Sequence, residues 1–313
     1  MSLDRALELA AAAAGRAYPN PTVGAVVVAG GEVVGEGATE PYGGRHGEVV
    51  ALDAAGKRAR GATLYLTMEP CAHQGKTPPC VERVLAAGVA RVVAGSLDPN
   101  PKAAGGLERL RAAGLEAELV DSFEARRQNE AWRTWVALGR PFVTYKAAAT
   151  LDGRTGLPGR RWISGEASRR LVHELRAASD AVAVGSGPAR IDRPLLTARE
   201  VETPRGQPRR LVFGTAPLPQ GLDLELRPGP LADELRTLAG EGVQSLLLEG
   251  GPSVAAAFLA AGLVDRLLVF VAPVLAGEGP GLAAALPEPQ GLLRLEARPV
   301  GEDVLLSAYL HEP

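Results

Sequence analysis

Apolar positions along the first third of the chain alternate between helical and strand spacing. Leu3, Ala6, Leu7, Ala10, Ala11 and Ala14 fall on one helical face, with Ser2 placed to cap the N-terminus and Gly15 to end the run. The continuous run Ala25-Val26-Val27-Val28 predicts a buried strand, and Gly30-Gly31 turns it into a second, Glu32 to Gly37. A Gly- and Pro-rich loop leads to a helix from about His46 to Gly56. Strands are expected at 63–68, 91–95 and 115–120, with helices through Val81, Val84 and Leu85 and around 107–113. Pro78-Pro79 suits a helical first turn, where no backbone donor is needed. Phe123 to Leu138 reads as one further helix carrying Trp132 and Trp135.

Gly139-Arg140-Pro141 is the best boundary, because the alternating pattern restarts beyond it. Strands are expected at 142–148, 181–185, 210–213, 245–248 and 266–271, with helices at 166–177 and 252–261. Two closing antiparallel strands are expected, around Arg294-Leu295-Glu296 and Val304 to Tyr309. This divides the chain into domains at 1–140 and 141–313, both α/β, with no internal repeat.

Composition narrows the function. With 313 residues the chain has room for two cores. Its net charge of −2 argues against a nucleic-acid partner, since phosphate backbones call for clustered Lys and Arg. The N-terminus has no basic stretch before an apolar one, and the run Leu263 to Leu275 is short and broken by Asp265, Arg266 and Pro273. No membrane association and a cytoplasmic location are therefore expected. In a reducing compartment two nearby cysteines favour a metal over a disulfide.

Those two cysteines are the only ones, Cys71 and Cys80, and His46-Gly47-Glu48 lies upstream. Two thiols and an imidazole supply three ligands for zinc, which with a vacant fourth position makes hydroxide available near pH ~7. Glu48, two residues beyond His46, can flank the metal without binding it and shuttle a proton from water to a leaving amine. Zinc nucleobase deaminases carry H-x-E with P-C-x-x-C, whereas here the cysteines are separated by eight residues. A structural zinc site would need a fourth ligand, for which His73 is the one candidate, and a pair of buried unliganded thiols is the remaining alternative.

Five stretches of the first half resemble the bifunctional riboflavin-biosynthesis deaminase–reductase family: 20–24, 46–48, 69–73, 76–80 and 98–101. The second half continues the resemblance at Lys146, 151–153, Trp162-Ile163, Arg176, 192–199 and 249–252. The long spacing between the cysteines is itself a family feature. The resemblance implies a cytidine-deaminase-like α/β/α domain followed by a dihydrofolate-reductase-like α/β domain. It implies zinc-dependent hydrolysis of the 2-amino group of a diamino-ribosylamino-pyrimidinone phosphate, then NADPH reduction of the ribosyl group to ribityl. The partners implied are a phosphorylated pyrimidine and, as the family often associates, a second copy of the chain.

Carried over by position, His46, Cys71 and Cys80 are metal ligands, Glu48 is the catalytic acid/base, and Asn20, Lys76 and Asp98 hold substrate. In the second half Ala148, Trp162, Asp192, Gly251, Pro252, Ser253 and Val254 match NADPH positions, and Arg176, Leu196, Arg199 and Glu249 match substrate positions. Gly250-Gly251-Pro252-Ser253 follows a strand and opens a helix, where bare N–H groups can cradle phosphate. Gly185-Ser186-Gly187 lacks the third glycine of a dinucleotide fingerprint. The chain departs from the family at Thr39, usually His, at Gly47, usually Ala, at Arg160, usually Ser, and at Pro188, usually Thr. Two rivals remain at this point: a deaminase of free or nucleic-acid bases, and a deaminase whose second half is not catalytic.

Overall fold

The computed structural model describes residues 2–74 and 78–313. The chain forms two compact units, one ending at Leu138 and the other running from Gly139 to Glu312.

The first unit contains α1 (Ser2–Ala12), β1 (Gly24–Ala29), β2 (Glu32–Ala38), α2 (Gly47–Ala55), β3 (Thr63–Leu66), α3 (Cys80–Ala87), β4 (Arg91–Ala94), α4 (Gly106–Ala112), β5 (Glu116–Leu119), α5 (Phe123–Gln128) and α6 (Glu130–Leu138). Its five strands lie in the order β2-β1-β3-β4-β5. The β1–β2 hairpin and the β1–β3 pair are antiparallel, while β3, β4 and β5 run parallel. Glycines set how closely the helices approach. A Cβ at Gly24 would lie 1.9 Å from the Ala6 carbonyl oxygen of α1, and one at Gly35 would lie 2.3 Å from the Ala51 carbonyl oxygen of α2. Gly37 also faces α2, and its partner across the hairpin is Ala25, the neighbour of Gly24. Successive residues of a strand point to opposite faces, so α1 and α2 cover opposite faces of one sheet. The α2 side holds the main core, where Ala25, Val27, Leu64, Leu66 and Val92 meet Leu52, Val81, Val84, Leu107 and Leu110.

One expected helix is two. The segment 123–138 breaks at Asn129, whose backbone lies at φ −119°, ψ 27°. Its buried side chain accepts from the Thr22 N–H (2.9 Å) and donates to the Thr22 carbonyl (3.0 Å). That pair of tertiary bonds overrides helical propensity and fixes the strand that follows Asn20.

The second unit contains β6 (Phe142–Thr150), α7 (Glu166–Ala178), β7 (Ala181–Gly185), α8 (Ser186–Asp192), β8 (Arg209–Phe213), β9 (Glu225–Arg227), α9 (Leu231–Gly240), β10 (Ser245–Leu248), α10 (Pro252–Ala260), β11 (Arg266–Ala272), β12 (Leu293–Val300) and β13 (Asp303–Tyr309). The eight strands follow the order β12-β13-β11-β6-β10-β7-β8-β9. From β11 to β9 all neighbours are parallel, and β13 and β12 close one edge antiparallel. The sequence pattern did not predict α8, β9 or α9. β9 has only three residues, and α8 holds Gly187 and Pro188, which mask helical periodicity. Because β10 returns to lie between β6 and β7, the carboxyl ends of these strands frame the position where open α/β sheets bind ligands. Asp265 anchors the start of β6: its carboxylate accepts two bonds from Arg140 at 2.7 Å and one from the Val143 N–H at 2.8 Å. No helix among the described residues is long and apolar enough to cross a membrane.

Candidate active sites

In the first unit a cavity of about 330 Å³ opens beside the N-terminus of α2 and the end of β3. His46, the cap residue of α2, places its Nδ1 3.1 Å from Cys80 Sγ and 3.8 Å from Cys71 Sγ. Cys71 follows β3 through Glu69-Pro70, and Cys80 is the first residue of α3, with its N–H 3.4 Å from Cys71 Sγ. The three ligand atoms all lie within 4.8 Å of one another, and neither cysteine is in a disulfide. His73 is not in that set among the described residues; it lines the same cavity, and its Nδ1 is buried without a partner. The donor set is therefore the three-ligand arrangement of a zinc site with an open position, and the fourth-ligand alternative falls away.

Side-chain ionisation follows from crowding. The hydrogen bond from Cys80 draws the Cys71 thiol down to about 4, and the same contact, with burial, pushes Cys80 well above its ordinary value. Two adjacent thiols do not both ionise without a cation between them, which is what a metal would supply. Glu48 lines the cavity, is 3% exposed, and leaves its Oε2 without a hydrogen-bond partner. Burial pushes its carboxyl up, opposed by the nearby His46.

Asn20 and Asp98 line the same cavity, so the fold brings both to the metal site. Lys76 lies outside the described residues. Burial raises Asp98 to about 6. Its position depends on a residue that the motif reading did not single out. Glu69, 5% exposed, accepts from the Asp98 N–H at 3.0 Å and from the Leu107 N–H at 3.1 Å, tying the loop after β4 to α4. Trp132 and Trp135 of α6 also line the cavity and extend an apolar wall that periodicity assigned only to a helix. Thr39, where the family usually has His, is buried and bonded to Val23, accepting from its N–H at 2.9 Å. Gly47 leaves no room for a side chain, since a Cβ there would lie 2.2 Å from the Val23 carbonyl oxygen.

In the second unit two sets of candidate residues are joined by contacts. Gly251 caps α10 and Pro252 occupies its first position. A Cβ at Gly250 would lie 2.1 Å from Val254 Cγ1, and one at Gly251 would lie 3.3 Å from Pro188 Cγ. The bare backbone entering α10 is thus a cradle that a side chain would fill, which fits a dinucleotide phosphate. Ser253 is exposed, whereas Val254 is partly buried and packs against the core. Pro188 is the third residue of α8, where no intrahelical donor is required, so it replaces the family's usual Thr without breaking the helix. Ala148 lies on β6, Asp192 ends α8 in solvent, and Trp162 is 55% exposed with Arg161 and Arg169 over its ring at 5.0 and 5.7 Å. Arg160 closes a turn on the Leu157 carbonyl at 3.2 Å.

In the second set Glu249, just past β10, accepts from Arg176 at 2.5 and 3.0 Å and faces Lys146 Nζ at 3.4 Å. Arg176 is not the solvated helix residue that its position in α7 predicts; its side chain is 14% exposed. The two cations hold the Glu249 carboxyl down against a large opposing effect of burial. Arg176 also donates to the Thr197 carbonyl, which brings in Leu196 and Arg199. Leu196 turns its side chain into the core at φ 53°, so a ligand could reach only its backbone.

Two family models match the chain. The cytidine and deoxycytidylate deaminase zinc-binding region covers residues 2–96, and the RibD C-terminal domain covers residues 141–306. The riboflavin biosynthesis protein RibD of Aquifex aeolicus is 38% identical over 96% of this chain and 95% of its own length. That of Escherichia coli is 37% identical over 96% of each chain. Among solved structures, Acinetobacter baumannii RibD superposes with a TM-score of 0.84 at 33% identity, covering 98% of this chain and 97% of its own. A diaminohydroxyphosphoribosylaminopyrimidine deaminase/5-amino-6-(5-phosphoribosylamino)uracil reductase from Thermotoga maritima gives 0.81 at 31% identity, with the same coverage.

Proposed function

The chain belongs to the RibD family of riboflavin-biosynthesis proteins, and on that premise we propose how its residues divide two activities between them. It is a bifunctional enzyme, a zinc-dependent deaminase and an NADPH-dependent reductase. The substrate of the first step is 2,5-diamino-6-ribosylamino-4(3H)-pyrimidinone 5′-phosphate, and the second step reduces the ribosyl group of the deaminated product to ribityl.

Residues 1–140 carry the deamination and 141–313 the reduction, a division supported by the break into compact units after Leu138. His46, Cys71 and Cys80 hold the metal. Zinc there supplies Lewis acidity and a hydroxide nucleophile at neutral pH. Glu48 takes the proton that water gives up and returns it to the departing amine, so that water and the amine become a carbonyl and ammonia. The observation that carries this reading is the free Oε2 of Glu48, buried in the same cavity as His46 and Cys71. Asn20 and Asp98 hold the pyrimidine ring or its ribose phosphate there, and Lys76 joins them.

In the reductase half the backbone of Gly251, Pro252, Ser253 and Val254 receives a phosphate of NADPH, with Ala148, Trp162 and Asp192 along the rest of the cofactor. NADPH supplies the hydride. Arg176, Leu196, Arg199 and Glu249 hold the substrate, with the arginines suited to its phosphate. The absence of a basic excess supports a small-molecule substrate over nucleic acid, and two unpaired thiols support the cytoplasm. Self-association remains part of the proposal.

A coupled assay on the pyrimidinone phosphate tests the whole reading. Ammonia release without NADPH, followed by NADPH oxidation once it is added, is the expected result. Ammonia release with no NADPH oxidation would leave the second half a non-catalytic module. Rapid release from cytidine, guanine or RNA would favour the base-deaminase rival. In Cys71→Ser, zinc content should fall together with ammonia release.

A further inference from the structure

The segment between Arg193 and Glu200 is held in an unfavourable backbone conformation. Arg193, Leu196 and Glu200 all have positive φ, at 44°, 53° and 60°, without being glycine. Such strain persists only where neighbours over-determine the loop. Gln207 clamps one side, accepting from the Ala198 N–H and donating to the Ala198 carbonyl, each at 2.9 Å. α7 clamps the other through Arg176 and through His173, one turn before it.

His173 meets this loop with both ring nitrogens. Nδ1 lies 3.2 Å from the Thr197 carbonyl oxygen and 3.3 Å from the Arg199 N–H, while Nε2 lies 3.4 Å from Arg199 Nη2. One nitrogen cannot donate to Thr197 and accept from Arg199 at once, so the neutral ring has two arrangements. With the proton on Nδ1, it donates to Thr197 and Nε2 accepts from the Arg199 guanidinium. With the proton on Nε2, Nδ1 accepts from the Arg199 backbone. Only the first arrangement offers the guanidinium an acceptor, since in the second Nε2–H and the Arg199 Nη2 donor oppose each other. Doubly protonated, the ring has no lone pair to offer and sets one cation against another.

We infer that His173 is a positioning residue of the reductase half: its neutral imidazole aims the exposed Arg199 guanidinium at the phosphate of the pyrimidine substrate. The inference rests on the reading of Arg199 as a phosphate ligand. The second Arg199 donor, Nη1, is fixed on Thr197 Oγ1 at 3.1 Å, so the guanidinium is oriented before a ligand arrives. Preorganisation of this kind lowers the ordering cost of binding and is read in KM rather than in turnover. The charged groups facing the imidazole are Arg176 on its own helix, Arg199 on the loop and Glu249 at the end of β10. Burial, then the two arginines, hold the ring below its ordinary pKa, which favours the neutral form.

The test is steady-state reduction of the deaminated pyrimidine phosphate by the full chain, followed through NADPH oxidation. His173→Leu is expected to raise the substrate KM about tenfold, the scale of a lost charge-assisted bond, with kcat much less affected. His173→Gln, whose amide oxygen can accept from Arg199, should restore most of that loss. Wild-type kcat/KM should fall with acid below the ordinary imidazole range, on a limb steepened by two protonations, that of the ring and that of the substrate phosphate. His173→Gln should keep only the shallower single-proton limb of the substrate phosphate, near pH ~6. An unchanged KM in His173→Leu, or the same acid limb in His173→Gln, would overturn the inference. Arg199→Leu separates the two layers. If its KM is also unchanged, the phosphate reading of Arg199 fails; if its KM rises while that of His173→Leu does not, only the role of His173 falls. NADPH binding by the same variants, followed by fluorescence titration, reports whether the second unit has folded, and should His173→Leu fail to fold, the pH profile of His173→Gln decides.

Discussion

In the first unit the proposed reacting groups are side chains drawn from short stretches, 46–48 and 71–80, while in the second the proposed phosphate cradle is bare backbone at the start of α10 and the other proposed ligand positions are spread from Ala148 to Glu249. A metal site needs particular atoms, two thiolates and an imidazole, and those residue types are rare enough to stand out. A dinucleotide cradle needs only N–H groups and the absence of Cβ atoms, which any glycine-bearing turn offers. The difference is one of chemistry rather than of order. The metal ligands and the cradle both sit at strand ends and helix starts.

If side-chain chemistry carries the first site, a change of a single atom there should be severe and confined to one activity. Glu48→Gln keeps the shape of the side chain and removes its ability to accept a proton. Ammonia release should fall by about a hundredfold or more, while zinc content and NADPH oxidation on the deaminated intermediate are retained. Full deaminase activity in that variant would refute the role of Glu48.

The second site should instead break when a backbone position acquires a side chain. Gly250→Ala places a methyl group 2.1 Å from Val254 Cγ1, so Val254, which packs against the core of that unit, must shift. The expected cost is about 1–3 kcal/mol of stability for overpacking, with weaker NADPH binding in a fluorescence titration and unchanged ammonia release. NADPH affinity equal to wild type would show that the entry to α10 is not the cofactor's cradle.

This contrast also explains what the sequence revealed. The alternating pattern marked most strands and helices, and His46, Cys71 and Cys80 converge as their residue types required. The break at Asn129 was hidden because its cause is a pair of bonds to Thr22, 107 positions away. The pairing of Arg176 with Glu249 was equally hidden, since nothing local distinguishes a helical arginine bound for a buried carboxylate from one bound for water. α8 was missed because Gly187 and Pro188 look like a turn, although the first positions of a helix tolerate both. Trp132 and Trp135 were visible as aromatic residues of a helix, but their place on a cavity wall is set by tertiary packing.

The carboxylates that hold the loops make the finest comparison. Glu69 is buried and accepts one backbone N–H on each oxygen, from Asp98 and from Leu107. Glu69→Gln must turn an amide donor toward one of those donors, leaving a buried bond unmade at about 1–3 kcal/mol. Thermal unfolding should register that loss, and deamination should weaken as Asp98 shifts.

Asp152 does similar work at the surface, accepting from the Ala276 and Gly277 N–H groups at 3.0 and 2.8 Å and from Thr150 Oγ1 at 2.6 Å. The Thr150 bond first, then the two backbone donors, hold its carboxyl at about 2. A carboxyl depressed in the folded state contributes stability that is present above its unfolded pKa, near 4, and is lost as pH falls toward 2. Asp152→Asn should therefore cost less than Glu69→Gln at pH 7, because water can replace the lost bonds. Its penalty should shrink steadily between pH 4 and pH 2, where the wild-type carboxylate is itself neutralised. Denaturant unfolding of both proteins across that range measures the difference directly. A penalty that stays constant with pH would mean that the Asp152 charge does not hold the loop and that its shape alone does.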